Sequence, residues 1–215
     1  MKTSKSYSQA PEYRLAVLML AAGEGSRLGS HPKALLKKDE KTLLDSFYTS
    51  IKHFSPIEFL LMTGYHADVV EAEFQRVNVD RLRSMRVCRN PAPQNGLASS
   101  VRLGLETLKS EFDTLLIALS DQPEIGIDEI NELLDEFSKR QPGEEIILPI
   151  VNQQRGNPVL FSKKVIEEIL SIPEMNCRSY MDLYPEKVRL MKTDNRAFVL
   201  DIDTPTDLDS NKLTF

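Results

Sequence analysis

This sequence of 215 residues has no long apolar run and no excess of positive charge. No segment approaches the ~18 apolar residues of a membrane-spanning helix, and the first 14 residues are polar, without the apolar core of a signal peptide. The 27 basic and 32 acidic residues give a net charge of -5, which offers no general attraction for nucleic acid or an anionic membrane surface. These absences predict a cytoplasmic protein whose partners are neither nucleic acids nor membranes.

Cysteine and histidine are also scarce. Cys88 and Cys177 form neither a CxxC pair nor a metal-ligand cluster, which predicts two free thiols in a reducing compartment. The three histidines, His31, His53 and His66, are scattered over the first third of the chain. No Ser-His-Asp or Cys-His arrangement is visible, so the sequence gives no indication of nucleophilic catalysis by such a set.

The most informative segment is LMLAAGEGSRLGSHPKALL, residues 18–36. The apolar run Leu15–Leu20 predicts a buried strand, and the glycines at positions 23 and 25 allow the following backbone to turn and approach a ligand closely. Arg27 and Lys33 add fixed positive charge. This pattern predicts a loop that binds an anion such as a nucleotide phosphate.

Two better-known glycine-rich loops do not fit this segment. The dinucleotide fingerprint requires glycine or alanine where Leu28 stands, and Gly29 is one residue late. The phosphate loop of ATPases requires Gly-Lys-Ser/Thr, whereas Lys33 follows His31 and Pro32. The alternative to anion binding is that this segment only forms a tight connection between a strand and a loop.

Short apolar runs alternate with segments of helical periodicity, which predicts a Rossmann-like α/β fold: a mixed, mostly parallel sheet with helices on both faces. The predicted strands are Leu15–Leu20, Phe59–Thr63, Met85–Cys88, Thr114–Leu119, Ile146–Ile150, Val159–Phe161, Val188–Met191 and Phe198–Leu200. The core-facing helical stripes are Leu44, Phe47, Tyr48 and Ile51; Val101, Leu105 and Leu108; and Ile130, Leu133, Leu134 and Phe137. We expect one domain over residues 15–215, preceded by a frayed tail over residues 1–14.

Three carboxylates are candidates for binding magnesium. Asp121 follows a predicted strand, so its side chain is expected at the carboxyl edge of the sheet beside the glycine-rich loop. Asp201 and Asp203 follow the last predicted strand, and one of the two is expected to face the same ion as Asp121, with Asp203 slightly favoured. The alternative for Asp121 is a structural role in capping a turn or the next helix.

These motifs together resemble a known family. AAGEGSRLG followed by PKALL resembles the opening motif of nucleotidyltransferases that activate a phosphorylated acceptor with a nucleoside triphosphate. TGYHADVVE, NPAPQNGLASSVRLGL, LSDQP, ILPIVNQQRGNPVLFSKK and DIDTPTDL then resemble, in order, segments of the molybdenum cofactor cytidylyltransferases and their MobA-like relatives. The resemblance spans most of the chain and implies the fold of nucleotide-diphospho-sugar transferases.

The resemblance implies a Mg²⁺-dependent transfer of CMP from CTP to the phosphate of molybdopterin, with release of pyrophosphate. It assigns catalytic roles to Arg27 on the β- and γ-phosphates, to Lys33 near the α-phosphate and to Asp121 as a metal ligand. Because a phosphate nucleophile is already ionised at neutral pH, no protein general base is expected.

The same resemblance assigns the remaining contacts. The GLASSV segment matches cytidylyltransferases better than guanylyltransferases, although its serines also suit the start of a helix. Arg155 and Asn157 are assigned to the acceptor, with asparagine standing where the family usually has histidine. The residues implied for nucleotide binding are Leu20, Ala21, Ala22, Gly23, Gly25, Arg27, Lys33, Gly64, Asn95, Gly96, Ser99 and Ser100.

Alternatives to this interpretation involve another substrate or no turnover. The chain could use GTP with the same pterin, or act on a sugar or alcohol phosphate. It could also be an accessory protein that binds a nucleotide during molybdoenzyme maturation without catalysis. Transient contact with a molybdoenzyme or its chaperone is a further expectation.

Overall fold

The computed structural model of the protein describes residues 13–78 and 84–215. Most of the predicted frayed tail, residues 1–12, lies outside the described residues. The two tail residues that are described contact the rest of the fold. The Tyr13 ring packs edge-on against Phe137 with centroids 5.2 Å apart, and Arg14 forms a 2.7 Å ion pair with Asp113. The ordered fold therefore includes both residues.

A mixed sheet of eight strands, counted within the described residues, organises the structure. Its main path runs in the order β10-β7-β9-β6-β1-β4-β5, and β8 pairs with β7. Only β9 and β8 run antiparallel to their neighbours in this sheet. The strands are β1 Leu15–Ala21, β4 Glu58–Thr63, β5 Met85–Arg89, β6 Thr114–Leu119, β7 Ile146–Val151, β8 Gln154–Arg155, β9 Val159–Ser162 and β10 Val188–Lys192, with the short hairpin β2 Lys37–Lys38 and β3 Lys41–Thr42 outside it.

Helices cover both faces of this sheet. They are α1 Leu43–Lys52, α2 Ala67–Val77, α3 Leu97–Thr107, α4 Ile127–Ser138, α5 Lys163–Ser171, α6 Cys177–Leu183 and α7 Pro205–Asn211. The side chains of β1 show how the two faces divide. Val17 and Met19 enter one apolar core with α1, α2 and α4, while Leu18 and Leu20 enter the other with α3, α5 and α6. The predicted fold class is therefore confirmed. No helix in the described residues is both long and apolar enough to cross a membrane.

Seven of the eight predicted strands and all three helical stripes are present in the structure. The predicted strand Phe198–Leu200 is wrong. Residues Arg196–Val199 form a 3₁₀ turn, which begins where the Asn195 side chain accepts a 3.1 Å hydrogen bond from the Ala197 amide. Phe198 is fully buried, which explains why a sequence pattern of apolar residues looked like a strand. Asp201 and Asp203 therefore project from a loop rather than from the end of a strand.

Candidate functional site

A cleft of about 560 Å³ lies at the carboxyl ends of β1 and β6, where ligands of open parallel sheets bind. Its charged lining consists of two cations against three carboxylates: Arg27 and Lys33 against Glu24, Asp121 and Asp203. The other lining residues are Leu20, Ala21, Ala22, Gly23, Gly25, Ser26, Pro32, Ala34, Tyr65, Pro93, Gln94, Gly96, Leu97, Ser100, Leu119 and Ser120. The cleft lining therefore carries one more carboxylate than it carries cations.

The glycine-rich loop turns at Gly25, which has a left-handed φ of 68°. Its carbonyl accepts hydrogen bonds from the amides of Leu28 at 2.8 Å and Ser30 at 3.0 Å. A side-chain carbon at position 25 would lie 2.1 Å from the carbonyl oxygen of His31, so only glycine fits this turn. The turn is what places Arg27 at the edge of the cleft.

Lys33 lies at the centre of an ionic network in the cleft. Its Nζ is 2.8 Å from an oxygen of Asp121 and 2.5 Å from an oxygen of Asp203. Arg27 approaches the other oxygen of Asp203 at 3.3 Å. Burial acts to lower the pKa of Lys33, but the charges and hydrogen bonds of the two carboxylates outweigh it and raise the pKa above its ordinary value. The ammonium group therefore stays protonated and holds the two carboxylates together.

Two carboxylate oxygens suit a divalent cation, one in this network and one beside it on Asp201, which does not itself line the cleft. Oδ1 of Asp121 and Oδ1 of Asp201 are buried and have no hydrogen-bond partner in the structure. Hard carboxylate oxygens are the ligands that Mg²⁺ and similar ions prefer. No group of three or more His, Cys, Asp or Glu side chains in the described part of the chain is arranged to hold a metal by itself. A metal site here would therefore need oxygens from a ligand such as a triphosphate as well.

Asp201 has an unusual ionisation. Burial raises its pKa to about 6, and the nearby charges of Asp121 and Asp203 act in the same direction. A hydrogen bond from Gln122 and the charge of Lys33 oppose this rise without cancelling it. The carboxylate is thus costly to ionise in the absence of an added cation. The sequence pattern gave no sign of this difference between Asp201 and Asp203.

This ionisation predicts how stability depends on pH. Since the folded protein holds the Asp201 proton more tightly than the unfolded chain, stability should fall as pH rises from about 4 to about 7. The pKa difference corresponds to roughly 3 kcal/mol, which the partial exposure of the Asp201 side chain reduces to about 1–2 kcal/mol. Asp201→Asn should abolish this loss and be the more stable protein at pH 7. Denaturant unfolding in the presence of EDTA at both pH values measures this loss of stability. The control Asp135→Asn, an exposed change on α4, should keep the dependence of stability on pH that the wild type shows. The same pH dependence in Asp201→Asn as in the wild type would contradict the prediction.

The far end of the cleft is built by the segment that enters α3. Gly96 and Ser100, both predicted nucleotide contacts, line the cleft together with Tyr65 and Leu97. Ser100 Oγ accepts a 2.9 Å hydrogen bond from the side-chain amide of Asn90. Tyr65 was missed by the sequence analysis, whereas Leu97 belongs to the predicted GLASSV segment; their side chains are left 45% and 59% exposed, and both line the cleft.

Three predicted nucleotide contacts, Gly64, Asn95 and Ser99, do not line the cleft. The Ser99 hydroxyl donates a 2.8 Å hydrogen bond to the carbonyl of Gly96 and so stabilises the start of α3. A side chain at Gly64 would lie 2.7 Å from the Ala22 carbonyl oxygen and clash with Pro93 as well. Gly64 therefore allows the backbone after β4 to approach Ala22 and Pro93 closely.

A second, smaller cavity of about 230 Å³ adjoins the cleft and shares Leu20, Leu97 and Leu119 with it. Arg155 and Asn157, the predicted acceptor residues, line this cavity. Its remaining walls are mostly apolar: Val101, Ile117, Leu148, Gly156, Val159, Phe161, Cys177, Arg178 and Met181. The structure therefore brings the predicted acceptor residues next to the nucleotide end of the site.

The two arginines of the second cavity differ in their surroundings. Arg155 is held by a 2.6 Å ion pair with Asp182. Arg178, at the start of α6, also lines the cavity, and no carboxylate in the described residues lies within ion-pair distance of it. Burial raises the pKa of the neighbouring Cys177 thiol to about 12, so this cysteine is a neutral wall rather than a nucleophile. No motif around Arg178 could have identified it, because only the fold brings α6 to this cavity.

A mostly parallel sheet with a glycine-rich loop and facing cations and carboxylates at its carboxyl edge defines a nucleotide-binding α/β domain of the transferase class. The chain belongs to the MobA-like NTP transferase family, whose domain model matches residues 17–188. The resemblance drawn from the sequence motifs is thereby confirmed at the level of the family.

Two relatives of this chain are named for the transfer of different nucleotides. The molybdenum cofactor cytidylyltransferase of Escherichia coli (strain K12) is 27% identical over 194 residues, covering 88% of this chain and 91% of that protein. The probable molybdenum cofactor guanylyltransferase of Methanosarcina mazei is 23% identical over 221 residues, covering 97% of this chain and 94% of that protein. The family is therefore established, while the nucleotide must be argued from the site.

Solved structures show the same fold. The protein Rv0371c of Mycobacterium tuberculosis H37Rv has a TM-score of 0.72 at 24% identity, covering 92% of this chain and 96% of that one. A structure of that protein in complex with manganese has a TM-score of 0.68 at 22% identity, covering 92% of this chain and 97% of that one.

Proposed function

We propose that this protein is a Mg²⁺-dependent cytidylyltransferase that transfers CMP from CTP to the terminal phosphate of molybdopterin. An oxygen of the acceptor phosphate attacks the α-phosphorus, the bond from the α-phosphorus to the bridging oxygen of the β-phosphate breaks, and pyrophosphate leaves. The observation that carries the proposal is the network in which Lys33 joins Asp121 and Asp203 at the floor of a nucleotide-sized cleft.

The catalytic roles follow from the charges in the cleft. The planar guanidinium of Arg27, which is exposed at the cleft edge, suits the β- and γ-phosphates, where two parallel hydrogen bonds can form. Lys33 is the more buried cation and suits the α-phosphate, where charge develops during transfer. Mg²⁺ held by Asp121 and a carboxylate of the 201–203 loop would neutralise and polarise the triphosphate oxygens.

CTP is favoured over GTP by the sequence at the far end of the cleft. The GLASSV segment, which resembles cytidylyltransferases, forms the start of α3 and contributes Gly96, Leu97 and Ser100 to the lining. The cytidylyltransferase relative is also the more similar of the two named above, at 27% against 23% identity. Both observations support a site shaped for a cytosine base.

The second cavity supports a molybdopterin acceptor over a sugar phosphate. Its walls, formed by residues such as Ile117, Leu148 and Phe161, are mostly apolar and suit a flat ring system better than a polyhydroxylated sugar. Arg155, Asn157 and Arg178 provide polar groups at the same cavity for the phosphate and ring edges. We place the enzyme in the cytoplasm and expect transient contact with a molybdoenzyme or its chaperone, which receives the labile product.

Pyrophosphate release tests the function directly. The purified protein is incubated with Mg²⁺ and freshly prepared molybdenum cofactor, with CTP or GTP in separate reactions. We expect release with CTP that depends on both the acceptor and the metal. Release with GTP alone would replace the nucleotide assignment, and release only with sugar or alcohol phosphates would replace the acceptor. Tight CTP binding without turnover on any acceptor would support a non-catalytic accessory role instead.

Arg178 provides a sharper test of the acceptor site. Because its charge faces the second cavity without a carboxylate partner in the described residues, Arg178→Ala should raise the KM for the acceptor about tenfold, the effect of losing one charge-assisted contact. The KM for CTP should stay unchanged. The matched control is Arg76→Ala, an exposed helical arginine that lines neither cavity. Equal acceptor KM values in Arg178→Ala and the control would remove this residue from the site.

A further inference from the structure

A third apolar cluster lies apart from the two cores that sandwich the sheet, and we name it the loop cluster. Its members come from three segments that are distant in sequence: residues 28–43, the loop that carries Asp201 and Asp203, and residues 205–215. The buried side chains of the loop cluster are Leu28, Leu36, Leu43, Ile202, Leu208 and Leu213. Each of them is less than a tenth exposed.

Two members of the loop cluster are sequence neighbours of the charged groups in the cleft. Leu28 follows Arg27, and Ile202 stands between Asp201 and Asp203. Ile202 is buried in the loop cluster, whereas its neighbour Asp203 lines the cleft. The Ile202 amide also donates a 3.0 Å hydrogen bond to the carbonyl of Asp121. The loop cluster therefore connects the loop that carries Arg27 with the loop that carries Asp203, on the side of both loops that faces away from the cleft.

Backbone and side-chain hydrogen bonds connect residues 205–215 to the segments on both sides of the loop cluster. In α7, the carboxylate of Asp207 accepts hydrogen bonds from the amides of Asp203 at 3.0 Å and Thr204 at 2.7 Å. Beyond α7, Thr214 exchanges two backbone hydrogen bonds with Lys37, at 2.8 and 3.0 Å. The same segment is thus bonded to the carboxylate loop at one end and to the strand after the glycine-rich loop at the other.

Ring packing adds a direct contact with the glycine-rich loop. The Phe215 ring lies 4.2 Å from the His31 ring, centroid to centroid. Nδ1 of His31 is in turn 2.8 Å from the carbonyl oxygen of Leu28, the residue after Arg27. A chain of contacts therefore runs from Phe215 to the backbone that carries Arg27, although neither Phe215 nor His31 lines the cleft.

We propose that residues 205–215 act as a clasp that sets the distance between the cations and the carboxylates of the cleft, with Leu213 and Phe215 as its positioning residues. The proposal rests on the proposed function only in taking the ligand to be a nucleoside triphosphate with its divalent cation. Such a ligand must contact both loops at once, so loosening the clasp spreads its two binding surfaces and weakens nucleotide use without touching the acceptor cavity.

Hydrogen exchange of the ligand-free protein tests the clasp. Leu213→Ala should accelerate exchange of the Leu28, Ser30 and Asp203 amides together, by about tenfold or more, because these loops then open locally. The matched control is Ile166→Ala, which removes a similarly buried side chain from the core cluster on the far face of the sheet. Ile166→Ala should leave unchanged the ratio between the exchange rates of the loop amides and those of the sheet amides. Phe215→Ala, whose side chain is 57% exposed and contributes little to folding, should accelerate the Leu28 and Ser30 amides with no loss of thermal stability.

Kinetics provides the second readout. In Leu213→Ala the kcat/KM for CTP should fall about 10- to 100-fold, as small misplacements of binding groups do, while the KM for the acceptor stays within twofold of the wild type. Loop exchange that is unchanged, or accelerated equally in Ile166→Ala, overturns the clasp. If the wild type releases no pyrophosphate with any acceptor, the proposed function fails, but the exchange comparison still decides whether residues 205–215 control the two loops.

Discussion

Lys33→Ala is expected to lower kcat for pyrophosphate release by about 10²–10³-fold or more, the range found when a preorganised group facing developing charge is removed. Lys33 is the one cation that contacts both Asp121 and Asp203 among the described residues, and its raised pKa keeps it charged at neutral pH. The fold should survive, because the substitution leaves the glycine-rich turn and its backbone hydrogen bonds in place. Steady-state kinetics with CTP and the acceptor measures the effect.

A nearby lysine supplies the control for this prediction. Lys38 pairs with the carboxylate of Glu124, which also follows β6, but it does not line the cleft. Lys38→Ala removes the same charge and a comparable ion pair, and it should leave kcat within about twofold of the wild type because exposed pairs contribute little. Near-normal turnover of Lys33→Ala, or an equal loss in Lys38→Ala, would contradict the role assigned to Lys33.

The ion pairs in the cleft give Lys33 a structural role in addition to the catalytic role proposed for it. Its ammonium lies between Asp121 and Asp203, where it offsets the repulsion between the two carboxylates. Under the proposed function, a nucleotide that brings its own divalent cation would replace that charge and free Lys33 to contact phosphate. Binding would then exchange one neutralised network for another, instead of requiring two bare carboxylates to accept a polyanion.

The fold was largely predictable from the sequence because buried parallel strands leave nearly continuous apolar runs. The strands β1, β4, β6 and β7 are such runs. The error at Phe198 has a clear cause. A buried aromatic side chain in a 3₁₀ turn and one in a strand give the same local pattern, and only the cap by Asn195 distinguishes them.

The candidate site was predictable where its residues lie in loops that follow buried strands. Arg27 and Lys33 lie in the loop after β1 and Asp121 lies in the turn after β6, and the parallel pairing of these two strands brings the three residues to one edge of the sheet. Arg178 and the loop cluster could not be found in this way, because α6 and α7 reach the site through long-range packing that leaves no local spacing rule. The raised pKa of Asp201 is likewise a product of burial and of the charge of Asp121, 80 residues away in sequence.

Asp121→Asn is expected to reduce kcat by a similar factor, about 10²–10³-fold, but for a different reason. The substitution keeps the size of the side chain and removes the charge that faces Lys33 on one oxygen and has no hydrogen-bond partner on the other. The Mg²⁺ concentration for half-maximal rate should therefore rise, whereas in Lys33→Ala it should not, since removing the ammonium relieves competition for the same carboxylate. Titration of pyrophosphate release with Mg²⁺ measures both variants. Asp128→Asn, an isosteric change at an exposed position in the first turn of α4, is the matched control and should titrate like the wild type. An unchanged Mg²⁺ requirement in Asp121→Asn would show that this carboxylate orients Lys33 without binding the metal, which would move the metal site to the Asp201 and Asp203 loop.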